Sequence, residues 1–304
     1  MRHIPVMLDE VRRYLVHKDA KLILDGTVGC GGHARAILES NPDVELIGVD
    51  RDGDALRTAK TVLRDFGARV RLVQDDYINV SGILGGSAKL DGALLDLGLS
   101  SLQLDDASRG FIYQNDGRLD LRRSGKGRTA ESFISESSED ELCRILGEYG
   151  EISRPRRVAR AIKSESERGS MSSTFDLKHA VESVMGRRVP PAVLSRVFQA
   201  VRIAVNEEID KVGRFLDAIT GYMNRDARLV VVSYHSLEDR LVKNFFKEKS
   251  ALCICPPGVP VCVCGRTPVL EVLTRRVVKP SSSEVARNPR SRSARLRAAK
   301  VINP

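Results

Sequence analysis

The sequence predicts an α/β fold, a parallel sheet with an all-helical domain inserted into it, and three observations carry that expectation. The first hundred residues alternate short apolar runs with amphipathic segments, the pattern of repeated β-α units. From about Gln103 the rhythm changes to polar loops and helical periodicity. Strand character then returns at residues 228–235, where LVVVS reads as a buried run. The α/β domain is therefore expected to be discontinuous, with residues 1–104 and 213–304 flanking an insertion at 105–212.

Strands are expected at residues 22–25, 44–50, 70–74 and 92–96. Each is rich in Val, Ile and Leu with little alternation, as in strands buried on both faces. Helices fit between them at 33–40 and 54–66. In the insertion, Ser138 followed by Glu141 makes a capping box, and Leu142, Ile145, Leu146 and Tyr149 then share one helical face. Leu177, Ala180, Val181, Val184 and Met185 signal another helix, and one long amphipathic stretch runs from 191 to 223. After the returning strand a helix is expected over 237–249, and a further strand at 269–278.

A chain of 304 residues can bury a sizeable core, and 42% hydrophobic with 29% charged residues is ordinary for a soluble enzyme. No apolar run approaches the roughly 18 residues of a membrane span. Arg2, Asp9, Glu10, Arg12 and Arg13 interrupt the N-terminal segment, so it lacks the apolar core of a secretory signal and a cytoplasmic location is expected. The net charge is +9, and residues 275–304 hold nine Arg or Lys against one acidic residue, Glu284. That basic C-terminal tail either docks phosphates of nucleic acid or is simply solvated.

Residues 25–34, DGTVGCGGHA, follow the first strand and open a helix. Glycines allow a tight turn and close ligand approach, and the helix start offers free amide donors. Gly29 to Ala34 also satisfy the dinucleotide pattern Gly-x-Gly-x-x-Gly/Ala, so the loop alone does not separate NAD from S-adenosylmethionine. Asp50 ends the second strand 19 residues after Gly31, where a carboxylate can accept both hydroxyls of an adenosine ribose. Asp25 before the loop, Asp76 and Tyr77 after strand three, and Asp96-Leu97-Gly98 after strand four tilt the choice toward a methyltransferase. An adenine and a methionine tail need polar groups at all those strand ends, whereas a pyrophosphate needs mainly the first loop.

The stretch DGALLDLGLSSLQLDDASRGF at 91–111 is specific, and with HIPVMLDEV, DGTVGCGGH, GVDRDGDAL, FQAVRIAVNEEI, SYHSLEDRLVK and NPRSRSARLR it resembles the bacterial small-subunit ribosomal RNA cytosine-N4 methyltransferase family from end to end. The resemblance implies a class I S-adenosylmethionine-dependent methyltransferase fold with a helical insertion for substrate recognition. It implies action on a cytidine in the decoding region of 16S ribosomal RNA, with the small ribosomal subunit as partner and neither DNA nor membrane. By motif, the cofactor contacts fall on Gly31, Gly32, His33, Asp50, Tyr77, Asp96 and Gln103. The chain departs from the family pattern at Ile112, Arg118, Arg123 and Pro190, which bears on substrate contact and not on the cofactor loop.

The exocyclic amine of cytosine has its lone pair delocalised into the ring. An acceptor that orients the amino group and favours its pyramidal form lowers the barrier, mostly by positioning. Asp96, Ser100 and Ser101, with His235, Ser236 and Glu238 from SYHSLED, are the candidates to surround that amine, because both segments leave sheet strands on the same edge. A purely structural hydrogen bond is the alternative for His235. Cys253, Cys255, Cys262 and Cys264 could hold zinc, but Cys-x-Cys is a less usual spacing than Cys-x-x-Cys and methyl transfer needs no metal, so none is assigned. An NAD-dependent oxidoreductase and a non-enzymatic ribosome-associated factor remain the competing readings, and the oligomeric state is open.

Overall fold

A computed structural model describes residues 5–86, 89–100, 103–104, 106–186, 189–255, 261 and 263–304. The chain divides into two compact units, one formed by Met1–Gly98 with Ile209–Pro304 and the other by Leu99–Glu208. No helix among the described residues is long and apolar enough to cross a membrane.

The first unit is a seven-stranded sheet: β1 (Leu22–Asp25), β2 (Glu45–Asp50), β3 (Val70–Gln74), β4 (Leu90–Asp96), β5 (Met223–Ser233), β6 (Leu270–Val272) and β7 (Arg295–Val301). Their order across the sheet is β3-β2-β1-β4-β5-β7-β6. The first five strands run parallel, and β7 is antiparallel to both β5 and β6. Alternate strand residues feed two cores. Leu24, Val49, Leu95 and Val231 belong to one, and Ile23, Leu46, Leu94 and Val232 to the other. Burial on both faces explains the unbroken Val, Ile and Leu runs. The exception is β3, which lies at the sheet edge and is only partly buried.

The helices of this unit are α1 (Leu8–Leu15), α2 (Gly32–Ser40), α3 (Gly53–Val62) and α4 (Val80–Leu84) before the helical unit. The expected helix at 54–66 stops at Val62 and gives way to a 3₁₀ segment, kinked at Gly67, whose φ of 54° suits only glycine there.

The second unit packs α5 (Ala130–Glu136), α6 (Glu139–Glu148), α7 (Pro155–Glu167), α8 (Thr174–Met185) and α9 (Pro191–Asn206) around its own core, which includes Leu142, Ile145, Leu146, Leu177, Val181 and Phe198. Ser138 caps α6 by accepting from the Glu141 amide at 3.1 Å. The stretch 191–223 is not one helix. It breaks at Glu207, which takes a left-handed φ of 54°, resumes as α10 (Glu208–Ile219), and then passes through a short 3₁₀ turn into β5. Among the departures from the family pattern, Arg118 bridges to Ser173 in the sheet manner, the Arg123 amide donates to Asn206 Oδ1 at 2.8 Å, and Pro190 precedes α9.

After β5 come α11 (Ser236–Lys249) and α12 (Ser282–Arg287). Two expectations for this region need correction. The strand at 269–278 shrinks to β6, with a single further bridge from Val278 to Leu296. The basic C-terminal tail is not a tail: its last part is β7, an interior strand between β5 and β6. The physical reason is cover on both faces, with Leu296 and Ala298 in one core and Ala299 and Val301 in the other. Leu296, Ala298, Ala299 and Val301 are buried, while Arg297 pairs with Asp239 at 2.6 Å and Lys300 with Glu271 at 2.7 Å.

Candidate active site

Chain order reverses between β1 and β4: from β1 it steps outward to β2 and β3, then returns to the other side of β1. The carboxyl ends of strands at such a switch point form the crevice in which open α/β sheets bind ligands. Here β1 ends in Asp25 and β4 in Asp96, with Asp50 at the end of the neighbouring β2.

The loop after β1 stitches these ends together. The Gly26 amide donates to Leu94 O and the Val28 amide to Val49 O, both at 2.9 Å. The Asp96 amide donates to Thr27 Oγ1 at 2.6 Å, and the Gly29 amide to Asp50 Oδ2 at 2.9 Å. The other Asp50 oxygen accepts the Asp52 amide at 2.9 Å, so its carboxylate is held at both ends. Gly31 caps α2 with φ 86°, a left-handed conformation that favours glycine. Gly32 has a different reason to be glycine: a Cβ there would run into the Pro5 ring.

Asp25 is 1% exposed, and one oxygen accepts the Thr27 amide at 3.1 Å. Its other oxygen, Oδ2, is buried without a hydrogen-bond partner. Burial, opposed by His33 but reinforced by the charges of Asp96 and Asp50, pushes the Asp25 carboxyl up to about 7. Burial with the carboxylates of Asp50 and Asp52 also pushes the Cys30 thiol up. Three carboxyl groups, those of Asp25, Asp50 and Asp96, thus end adjacent strands at the crevice. A cationic ligand is favoured there and a pyrophosphate is repelled.

Asp96 differs from Asp25 in its partners. Burial raises it, but His33, the Tyr234 hydroxyl and the Gly98 amide outweigh that and hold its carboxyl below the usual range. His33 Nε2 lies 3.3 Å from Asp96 Oδ2, at ion-pair distance but off the line of a good hydrogen bond. Tyr234 leaves the end of β5 and hydrogen-bonds Asp96; burial and the Asp96 charge hold its phenol well above the ordinary value and so neutral. The Tyr234 ring lies against Gly98, where an added Cβ would sit 2.9 Å from Cε2. Gly98→Ala is therefore expected to displace the ring and lower stability by about 1–3 kcal/mol, read as a depressed melting temperature.

The remaining candidates divide. Tyr77 stacks edge-on against Phe215 with centroids 5.5 Å apart, and its neighbour Asp76 pairs with Arg51 and Lys211, each at 3.4 Å. His235 caps α11: its Nδ1 accepts the Glu238 amide at 3.4 Å, and its Nε2 lies 3.1 Å from Glu238 Oε1. Glu238, 1% exposed, accepts the Tyr234 amide at 2.8 Å. Ser236 is the first residue of that helix. Ser100 and Gln103 belong to the helical unit, where the Ser100 amide donates to Gln103 Oε1 at 3.1 Å and Gln103 Nε2 to Arg123 O at 3.0 Å. Ser101 and Cys262 lie outside the described residues. Sequence reasoning missed Tyr234 and Thr27; the only signal for Tyr234 was its place directly after the LVVVS strand, one residue before His235.

Over residues 1–302 the sequence matches the profile of the MraW methylase family. It is similar to the ribosomal RNA small subunit methyltransferase H of Syntrophotalea carbinolica, 45% identical over 98% of this chain and 97% of that one. It is likewise similar to the proteins of that name from Geotalea uraniireducens, at 43% over 99% and 98%, and Heliobacterium mobile, at 42% over 99% of each. The strand order with an antiparallel seventh strand is that of the class I S-adenosylmethionine-dependent methyltransferase fold expected from the resemblance. Since the match takes in the helical unit and the sheet strands on either side of it, the chain belongs to the MraW methylase family.

Proposed function

We propose that this chain transfers the methyl group of S-adenosylmethionine to the N4 amine of a cytidine in the decoding region of 16S ribosomal RNA, acting in the cytoplasm on the small ribosomal subunit or its RNA. The observation that carries the reading is Asp96, an ionised carboxylate gripped by His33, Tyr234 and Gly98 at the switch point of the sheet. The names of the relatives support the choice of small-subunit RNA, and the motif resemblance supports cytidine N4.

The residues present fit the cofactor. Its sulfonium and ammonium suit a crevice of three carboxylates, and the buried, unpartnered Asp25 Oδ2 lacks only a donor. Asp50, fixed by two amides, would accept ribose hydroxyls, while Gly31, Gly32 and His33 shape the loop and Tyr77 flanks it. When bound, the cofactor supplies a methyl group already activated by the positive sulfur.

The chain's own contribution is placement. Asp96 accepts a hydrogen bond from the target amine, turning its lone pair toward the methyl group and favouring the pyramidal form, and takes the proton that the nitrogen sheds as its bond to carbon replaces the sulfur–carbon bond. His33 and Tyr234 keep Asp96 charged and aimed. His235, Ser236 and Glu238 act through Tyr234, since the Glu238 carboxylate anchors the Tyr234 amide at the start of α11. Mass spectrometry of 16S RNA from cells with and without the gene is the test. Loss of one N4-methylcytidine is expected, and an unchanged nucleoside profile would refute the assignment.

A further inference from the structure

We propose that Cys253, Cys255 and Cys264 form a thiolate site for a structural zinc ion, apart from the methyl-transfer crevice. Their three sulfur atoms lie within 4.8 Å of one another, and those of Cys253 and Cys264 are 3.9 Å apart. Zinc–sulfur bonds of about 2.3 Å in a tetrahedral array separate neighbouring sulfurs by roughly 3.8 Å. A disulfide would need about 2.05 Å. The Cys255 amide also donates to Cys253 Sγ at 3.3 Å.

Apolar packing does not account for this convergence. Leu252, Ile254, Val261 and Val263, interleaved with the cysteines, are 76%, 59%, 71% and 80% exposed. They are four of the five large apolar side chains exposed among the described residues. Hydrophobic collapse would bury those branched side chains first. In this segment the sulfurs come together while the branched chains remain in water. A bound metal organises a segment of this kind without a core, because its binding free energy becomes folding free energy. Three thiolates leave the fourth tetrahedral position to another donor.

The test uses the full chain, purified in reductant, loaded with zinc, desalted and measured by elemental analysis. About one zinc per chain is expected, and it should fall to background in Cys253→Ser/Cys264→Ser while affinity for S-adenosylhomocysteine is unchanged. Cobalt(II) loaded in place of zinc should give intense thiolate-to-metal charge-transfer absorption in the wild type. A chain that retains no zinc, zinc retained undiminished in the double variant, or a cobalt form without thiolate absorption would each overturn the proposal. The cobalt spectrum reads the wild type alone, so it decides the matter even where the double variant fails to fold.

Discussion

Asp96→Asn should slow methyl transfer by about 10²–10³-fold, the usual scale for removing one preorganised electrostatic contact from a reacting centre. Asparagine keeps the shape of the side chain and an oxygen for the Gly98 amide and the Tyr234 hydroxyl. It loses the charge, and with it the acceptor strength that turns the amine lone pair. The loss should fall on kcat, with KM for RNA little changed, because the contact strengthens as the amine becomes pyramidal. Tyr234→Phe removes one of the partners that keep Asp96 ionised and should give a smaller loss of the same kind. Asp96 also has a stability sign. Its folded-state value is depressed, so its stabilisation is present above the unfolded value and disappears as pH falls through the folded one. A purely structural Asp96 would lower the melting temperature on substitution but leave the rate per folded molecule intact.

Asp25→Asn should produce the opposite pairing, a more stable protein that binds cofactor poorly. Burial raises Asp25 from 3.8 to about 7. Between those values the folded chain holds a proton that the unfolded chain has lost, so stability falls as pH rises from about 4 to about 7 and is level above. The whole span corresponds to something on the order of 4 kcal/mol. Asparagine has no charge to desolvate and can still accept the Thr27 amide. The melting temperature of the apoprotein at pH 8 should therefore rise above that of the wild type, and the difference should vanish near pH 4. Affinity for S-adenosylhomocysteine, whose ammonium would be the donor that Asp25 Oδ2 lacks on the proposed reading, should drop about tenfold or more. In the wild type that affinity should rise with pH through about 7, with proton release measurable by calorimetry in buffers of different ionisation enthalpy. Equal cofactor affinity for Asp25→Asn at pH 8 would remove Asp25 from the site.

Where the sequence was legible, one physical cause dominated each segment. The strands β1, β2 and β4 are apolar because both faces are covered, and the glycines and aspartates at their ends stand out against that background. The helix capped by Ser138 was legible for the same reason: cap and periodicity agree. β7 was hidden because Arg295, Arg297 and Lys300 dominate its composition, and the pairing of both arginines with Asp239 and of Lys300 with Glu271 reconciles those charges with an interior strand. The break at Glu207 was hidden because a non-glycine residue in the left-handed region carries no local signal. The places of Asp50 and Asp96 at strand ends were readable. The part played by Tyr234 was not, since it depends on β4 and β5 lying side by side and on a missing Cβ at Gly98. Cysteine spacing alone left zinc unassigned, because it cannot report whether sulfurs meet.

The most direct measurement is methyl transfer by the purified chain. Small subunits from cells lacking the gene are incubated with S-adenosylmethionine carrying a deuterated methyl group, and the 16S RNA is digested and analysed as nucleosides. The expected result is one deuterated N4-methylcytidine per RNA, formed by the wild type and about 10²–10³-fold more slowly by Asp96→Asn. Label in a different nucleoside, or no label at all, would contradict it.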